Sequence, residues 1–241
     1  MLTDELLNYL FDGRNHILTG DMRAWLGASR RFTTFVASFR DKIRKKLRVT
    51  QDRETLYDLR LELETAYLLL NERTLNVVYE PEQSGPGRSP DFAVTYTTSL
   101  TFMVEVTRLR SIAVLDHGLP LESDRFADAI CSKLRQFLPQ RSNILIVGVD
   151  AMYLTQSELQ SIMLRIQQRA EQNDSSYWQR YGFRERTDFF KGYQRLSEII
   201  VRSSQLQADE APIVWVNSQA NHSLPSKVRT VLYRSHTASS H

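Results

Sequence analysis

The sequence is poor in cysteine, glycine and proline. Cys131 is the only cysteine among 241 residues, which excludes an internal disulfide and argues against a zinc site built on thiolates. Nine glycines and seven prolines are too few for a collagen-like or low-complexity chain, and hydrophobic residues reach 41%. These proportions predict a folded protein in a reducing compartment, for which the cytoplasm is the default. We interpret Cys131 itself as a small buried residue on a helix.

Further absences narrow the range of possible functions. No apolar run reaches the roughly 18 residues that a membrane-spanning helix needs, and the N-terminus shows no signal-peptide pattern, so we expect no membrane partner. The sequence contains neither a GxxxxGK[ST] nor a GxGxxG motif, which removes support for nucleotide-driven motors and for dehydrogenases. The five histidines are scattered and show no metal-ligand spacing such as His-x3-His.

Positive charge is concentrated near the N-terminus, although the net charge is only +3. Asp41 is the single acidic residue between Arg23 and Arg48. Such clustering suits a polyanionic partner, because contact with phosphates releases condensed counterions. An ordinary solvent-exposed helix face is the alternative interpretation. The residues that we assign to nucleic-acid binding are Arg30, Arg31, Arg40, Arg44, Lys45, Lys46 and Arg48.

Hydrophobic periodicity predicts a helical N-terminal segment followed by alternating helices and strands. Apolar residues at three- and four-residue spacing predict helices through the first fifty residues. The predicted strands, in chain order, are 75–80, 91–96, 100–108, 143–149 and 212–217. The predicted helices after residue 50 are 52–71, 121–138, 158–170, 188–201 and 225–233. A loop is predicted over 81–89, which contains Gly85-Pro86-Gly87.

Two carboxylates lie on adjacent predicted strands. Asp91 follows Pro90 at the start of one strand, and Glu105 interrupts the apolar run 102–106 of the next. Strand side chains alternate between faces, so Glu105 and Thr107 share one face. Carboxylates brought close across strands repel each other unless a cation lies between them, and hard cations such as Mg²⁺ prefer oxygen ligands. The pattern indicates a metal-dependent phosphodiesterase; a turn-capping aspartate and a surface glutamate are the alternatives.

The order of helix, three strands, helix and strand, with Pro90-Asp91 on the second strand and Glu105-Val106-Thr107 on the third, resembles the PD-(D/E)XK nuclease superfamily. The likeness covers about residues 52–150. It implies an α/β fold with a restriction-endonuclease-like αβββαβ core, a mixed sheet flanked by helices, and helical additions at both ends. We therefore divide the chain into an N-terminal helical basic region (1–50), the core (51–150), C-terminal helices with a strand that complete the same domain (151–234), and a frayed tail (235–241).

The resemblance also implies roles for individual residues. Asp91 and Glu105 would hold one or two Mg²⁺ (or Mn²⁺) ions, which lower the pKa of a bound water and stabilise charge on the scissile phosphate. A glutamate of the preceding helix often joins these ligands. We assign that position to Glu64, which flanks the apolar stripe of the helix, with Glu62 on the other flank as a competitor.

The sequence departs from the superfamily pattern at the motif lysine. That lysine follows two residues after the glutamate, and Thr107 occupies the position here. Threonine can orient a water through one hydrogen bond but brings no charge. Some members supply the lysine from the following helix, where Lys133 is the only lysine and lies one turn from Gln136. We assign the catalytic cation to Lys133 and keep Thr107 as a catalytic candidate; a solvent-facing Lys133 is the alternative.

Three hypotheses for the function follow. The first is a Mg²⁺-dependent nuclease-like protein that hydrolyses phosphodiester bonds of DNA, with RNA as the less favoured substrate. The second, suggested by Thr107, is a catalytically inactive nuclease fold that binds nucleic acid or acts as a scaffold. The third is an interaction domain whose carboxylates are incidental. Interleaved aromatic and basic residues over 177–184 fit base stacking and phosphate contact, or ordinary packing. Association as a homodimer stays open.

Overall fold

The computed structural model describes residues 3–50, 52–82, 89–110, 122–150, 154–172, 175–203 and 211–237. Most of the predicted loop 81–89 lies outside these residues. Leu121, predicted to begin a helix, and the tail residues 238–241 also lie outside them.

A mixed β-sheet of six strands lies at the centre of the described chain. Its strands follow one another in space in chain order: β1 (Leu75–Tyr79), β2 (Phe92–Tyr96), β3 (Leu100–Leu109), β4 (Asn143–Val149), β5 (Leu196–Ser203) and β6 (Ile213–Val216). The first three strands are antiparallel, β4 is parallel to β3, β5 is parallel to β4, and β6 is antiparallel to β5. Every residue of β4 is buried, as expected for a parallel strand covered on both faces.

Helices cover both faces of this sheet. They are α1 (Thr3–Phe11), α2 (Thr19–Ala28), α3 (Arg30–Val49), α4 (Arg53–Asn71), α5 (Glu122–Lys133), α6 (Gln156–Glu171), α7 (Ser175–Gln179), α8 (Arg186–Arg195) and α9 (Ser226–Ser235). Side-chain caps fix several helix starts: the Asp52 carboxylate accepts from the Thr55 amide at 2.8 Å and begins α4. No helix in the described ranges is long and apolar enough to cross a lipid bilayer.

The buried apolar residues form two layers, one on each face of the sheet. On the first face, Tyr79, Phe92 and Val104 pack with residues of α1 to α4 and α9. On the second face, Leu145 and Ile199 pack with residues of α5 to α8. The predicted α/β class, with a mixed sheet flanked by helices, is confirmed. The segment from α4 through β1, β2, β3 and α5 to β4 has the predicted order of elements.

One predicted helix is wrong in its second half. The prediction of a helix over 188–201 holds only to Arg195, and Leu196 begins strand β5. The residues after that point are rich in β-branched side chains, which favour a strand, and β5 is buried along nearly its whole length against β4. Cys131 is buried in α5, as predicted. At the C-terminus, α9 includes Ser235 and His236 is buried, so the chain stays packed two residues into the predicted tail.

Candidate functional site

Asp91 lies one residue before β2, beside the part of β3 that carries Glu105. Asp91 immediately precedes Phe92, which pairs with Val104 of β3, and Glu105 immediately follows Val104. From that point β3 continues past the start of β2 and, within the described residues, pairs with β4 up to Leu109. The Asp91 Oδ2 atom accepts a hydrogen bond from the Val106 amide at 2.8 Å, in place of a strand partner. Both carboxyl groups are buried, with Asp91 7% and Glu105 2% exposed.

Lys133, the last residue of α5, reaches Glu105. Its Nζ atom lies 3.3 Å from Glu105 Oε2 and 3.3 Å from the Gln136 side-chain oxygen. The contact follows from the fold: Glu105 pairs with Leu145, whose side chain belongs to the layer that packs with α5. The lysine side chain is only 14% exposed, so the solvent-facing interpretation does not describe it. The structure thus brings Lys133 to Glu105, while Asp91 binds the same stretch of β3.

Thr107 lies two residues beyond Glu105 on the same side of β3. It pairs with Val147 of β4 and is partly exposed. The position matches the motif lysine of the resemblance. The hydroxyl can donate one hydrogen bond toward the space in front of Glu105, but it adds no positive charge there.

Glu64 points away from these residues. It is fully buried, and its Oε2 atom forms an ion pair with Arg202 Nη1 of β5 at 2.8 Å. Arg60, one turn earlier in α4, lies 3.5 Å from the other carboxylate oxygen. Strand β4 separates β5 from β3 in the sheet. This ion pair therefore lies two strands away from the part of β3 that Asp91 binds.

Glu62, the competing glutamate of α4, lies close to Asp91. Burial and the negative charge of Asp91 raise the pKa of Glu62 to about 7, although the ammonium group of Lys46 opposes this shift. Lys46 Nζ lies 2.7 Å from Glu62 and 2.8 Å from Glu80, and so bridges α4 and the end of β1. Of the two α4 glutamates, Glu62 is therefore the one that the structure places with Asp91.

The two α4 glutamates can be separated by stability measurements. Glu64→Gln keeps the side-chain shape but removes the carboxylate that pairs with the buried Arg202, whereas Arg60 keeps its ion pair with Asp21. We therefore expect it to lower the free energy of unfolding by about 2 kcal/mol. Metal affinity should not change. Urea unfolding and Mn²⁺ titration measure the two effects. Glu72→Gln is the matched control, because its partner Arg234 is largely exposed and such pairs contribute little. A stable Glu64→Gln protein that has lost metal binding would make Glu64 a ligand after all.

Glu62 should make stability depend on pH. Since its folded-state pKa is raised from 4.5 to about 7, its stabilising contribution is complete below about 4.5 and is lost as pH rises through 7. Glu62→Gln removes this loss, so the variant should gain stability relative to wild type between about pH 5 and pH 8. The gain should not exceed about 3 kcal/mol. Urea unfolding of both proteins across this range checks the prediction; parallel pH profiles would contradict it.

A second cluster of charged side chains lies beside the site, and its positive and negative members form ion pairs with one another. Arg108 of β3, with a side chain only 2% exposed, forms ion pairs with Glu54, with Asp58 at 3.0 Å and with Asp150 at 2.9 Å. Arg110 also pairs with Asp58 at 2.6 Å. This network was not predicted from the sequence. We assign it a structural role, since it joins α4 to the ends of β3 and β4.

The donor set near β3 suits a hard cation held by few protein ligands. Within the described ranges, no three His, Cys, Asp or Glu side chains are grouped to hold a metal ion. Mg²⁺ commonly binds one or two carboxylates and keeps waters or phosphate oxygens as its other ligands. Asp91 and Glu105 can supply such a pair, and the negative charge of Asp91 contributes, after burial, to the raised pKa of Glu62.

Several residues of the basic N-terminal segment have internal partners. Arg31 donates hydrogen bonds to the carbonyl oxygens of Leu70 at 2.7 Å and Glu72 at 2.6 Å, which ties α3 to the end of α4. Lys46 belongs to the Glu62 pair described above. Arg44 and Arg48 both pair with Asp12. The remaining members of the predicted nucleic-acid-binding set are exposed: Arg30, Arg40 and Lys45.

Comparison of the chain with protein-family models, with curated proteins and with solved structures gave no match.

Proposed function

We propose that this protein is a metal-dependent phosphodiesterase that hydrolyses nucleic acid, with DNA as the favoured substrate. The observation that carries the proposal is the contact between Lys133 and Glu105 at 3.3 Å, on the strand whose Val106 amide binds Asp91. A lysine from the helix after the third strand replaces the cation that Thr107 cannot supply. Two buried carboxylates and one partly buried ammonium group then lie at the same short stretch of β3.

The carboxylates of Asp91 and Glu105 are the groups that would hold Mg²⁺ or Mn²⁺. When bound, such an ion lowers the pKa of a coordinated water and offsets charge on the phosphate. The carboxylates fit this role, because both are buried and both lie at the same stretch of β3, Glu105 as one of its residues and Asp91 through its bond to the Val106 amide. Glu62 adds a third negative charge on the α4 side.

Lys133 would act on the phosphate and on the attacking water. Its ammonium group can donate hydrogen bonds to a phosphate oxygen and stabilise the negative charge that develops during the reaction. Because Glu105 and Gln136 already hold it, the lysine loses little side-chain entropy when substrate binds. Thr107 can help to orient the water through its hydroxyl group.

The fold supports this placement of the chemistry. Strand β3 continues past the start of β2, so Asp91 and Glu105 lie where the pairing of these two strands ends. The exposed basic residues of α3, Arg30, Arg40 and Lys45, offer sites for further phosphate contacts.

A cleavage assay tests the proposal. Supercoiled plasmid, single-stranded DNA and RNA are incubated with purified protein and Mg²⁺ or Mn²⁺, and a parallel sample contains a chelator. We expect cleavage of DNA that the chelator abolishes. Binding without cleavage under all these conditions would instead support the second candidate, an inactive nuclease fold, which the threonine at position 107 favours.

A further inference from the structure

A polar surface cleft lies between residues 134–135, directly after α5, residues 182–184 and one side of α8. It encloses about 310 Å³. The charged side chains that line it are Arg135, Arg184, Asp188, Lys191 and Arg195. Four of these five are cations, so the cleft carries a net charge of about three positive units.

The contacts that the described residues offer these cations are weak. Lys191 Nζ lies 3.7 Å from Asp188, an exposed pair of low strength. Arg195 donates a hydrogen bond at 3.4 Å to the carbonyl oxygen of Phe137, a neutral acceptor. Arg135 and Arg184 are exposed at the surface. By contrast, Arg44 and Lys46 of the N-terminal basic segment have carboxylate partners.

Two glycines shape the cleft. Gly182 has a φ of +79°, and a side chain there would collide with the Arg135 guanidinium group, which lies against the backbone. At Gly192, a Cβ atom would lie 3.1 Å from the Phe183 ring. The glycines therefore let Arg135 and Phe183 approach the backbone closely and keep the cleft open between them.

The cleft takes up one of the two arginines of the mixed aromatic and basic segment 177–184, whereas Arg180 pairs with Asp128. Three of its four aromatic residues, Tyr177, Trp178 and Phe183, are buried in the layer that includes α7 and α8, and the half-buried Tyr181 donates a hydrogen bond to Asp128, so they serve as packing and not as a stacking platform. Arg184, at the end of the segment, remains exposed and lines the cleft.

We propose that this cleft binds backbone phosphates of the nucleic-acid strand that the proposed active site cleaves. The inference rests on the proposed function. Arg135 follows Lys133 by two residues, so a strand held in the cleft lies beside the end of α5 that carries the catalytic lysine. Guanidinium groups bind phosphate oxygens in a bidentate manner, which suits three arginines converging on one cleft. Phosphate contacts carry no sequence information, so the binding is independent of sequence and sensitive to salt.

Charge reversal in the cleft tests this proposal. The variant Arg184→Glu/Lys191→Glu is compared with the control Arg73→Glu/Lys227→Glu, which makes the same change in net charge. Arg73 and Lys227 are also exposed but lie next to α4 and on α9, on the other face of the sheet. Fluorescence anisotropy with a labelled single strand and a duplex measures affinity over a series of salt concentrations.

The cleft variant should lose at least about tenfold in affinity. The magnitude of its slope of log affinity against log salt should fall by about two, because two phosphate contacts are lost. The control should keep the wild-type slope. Arg184→Gln/Lys191→Gln should give an intermediate loss, and it serves if the reversed variant unfolds. Equal slopes for the cleft and control variants, or a wild type that binds no oligonucleotide, would overturn the proposal.

A small substrate separates this inference from the proposed function. Hydrolysis of bis(p-nitrophenyl) phosphate with Mn²⁺ reports on the active site without the cleft, so the cleft variant should retain it. If the cleft variant hydrolyses the small substrate and binds DNA as tightly as wild type does, the proposed role of the cleft is refuted and the proposed chemistry stands. A wild type that hydrolyses nothing, but binds DNA through Arg184 and Lys191, would support the cleft and refute the chemistry.

Discussion

Asp91→Asn and Glu105→Gln should each reduce metal-dependent cleavage by on the order of a thousandfold or more, because each removes one of two proposed metal ligands. Both substitutions preserve side-chain size, and an amide oxygen at position 91 can still accept from the Val106 amide. A loss of turnover with an intact fold therefore reports the missing negative charge. The plasmid cleavage assay, with circular dichroism to check folding, measures the effect.

Glu80→Gln is the matched control for these two variants. Glu80 lies next to the site and pairs with Lys46 at 2.8 Å, but its side chain is 33% exposed and we assign it no ligand role. It should cleave like wild type. Without metal, Asp91→Asn should also be more stable than wild type, since Asp91 raises the pKa of Glu62 by repulsion. Unchanged cleavage by a cleanly purified Asp91→Asn protein would remove the ligand assignment.

Lys133→Met should lower turnover by about a hundredfold to a thousandfold, the usual loss when one electrostatic group is removed from the transition state. Methionine keeps most of the aliphatic length and fills the same partly buried space. The affinity for metal should change little, because lysine is not a ligand. Single-turnover cleavage separates the chemical step from binding, and Lys227→Met, on an exposed face of α9, is the control.

Thr107→Lys gives the complementary test of the catalytic cation. It restores a lysine two residues after Glu105, so the substitution should be tolerated in wild type and should recover part of the activity lost in Lys133→Met. A Lys133→Met protein that cleaves at the wild-type rate would discard the role of Lys133. An inactive wild type that Thr107→Lys activates would favour the inactive nuclease fold.

The placement of Asp91 beside the stretch of β3 that carries Glu105 could be predicted, because it depends on local sequence. The polar residues 97–99 join two alternating strands, and the pairing of Phe92 with Val104 brings the residue before the one alongside the residue after the other. The contact of Lys133 depended on which face of α5 packs against the sheet. The apolar stripe with Phe126 and Ile130 fixed that face, and the lysine lies at its margin.

The choice between Glu62 and Glu64 could not be made from the sequence. Both flank the apolar stripe of α4, and the deciding partner of Glu64 is Arg202, which is 138 residues away. The predicted helix over 188–201 hid that partner, since it stopped one residue short of Arg202 and gave no strand on which the arginine could face α4. The internal partners of the basic segment, such as Asp12 for Arg44, could not be predicted either, because they depend on how α1 packs against α3.

Calorimetric titration with Mn²⁺ tests the central claim most directly, because it measures the metal site without assuming a substrate. Wild type should bind Mn²⁺ saturably, Asp91→Asn should weaken binding by more than about tenfold, and Lys133→Met should bind like wild type. An absence of saturable binding in wild type, or equal binding by wild type and Asp91→Asn, would contradict a metal-dependent phosphodiesterase centred on Asp91 and Glu105.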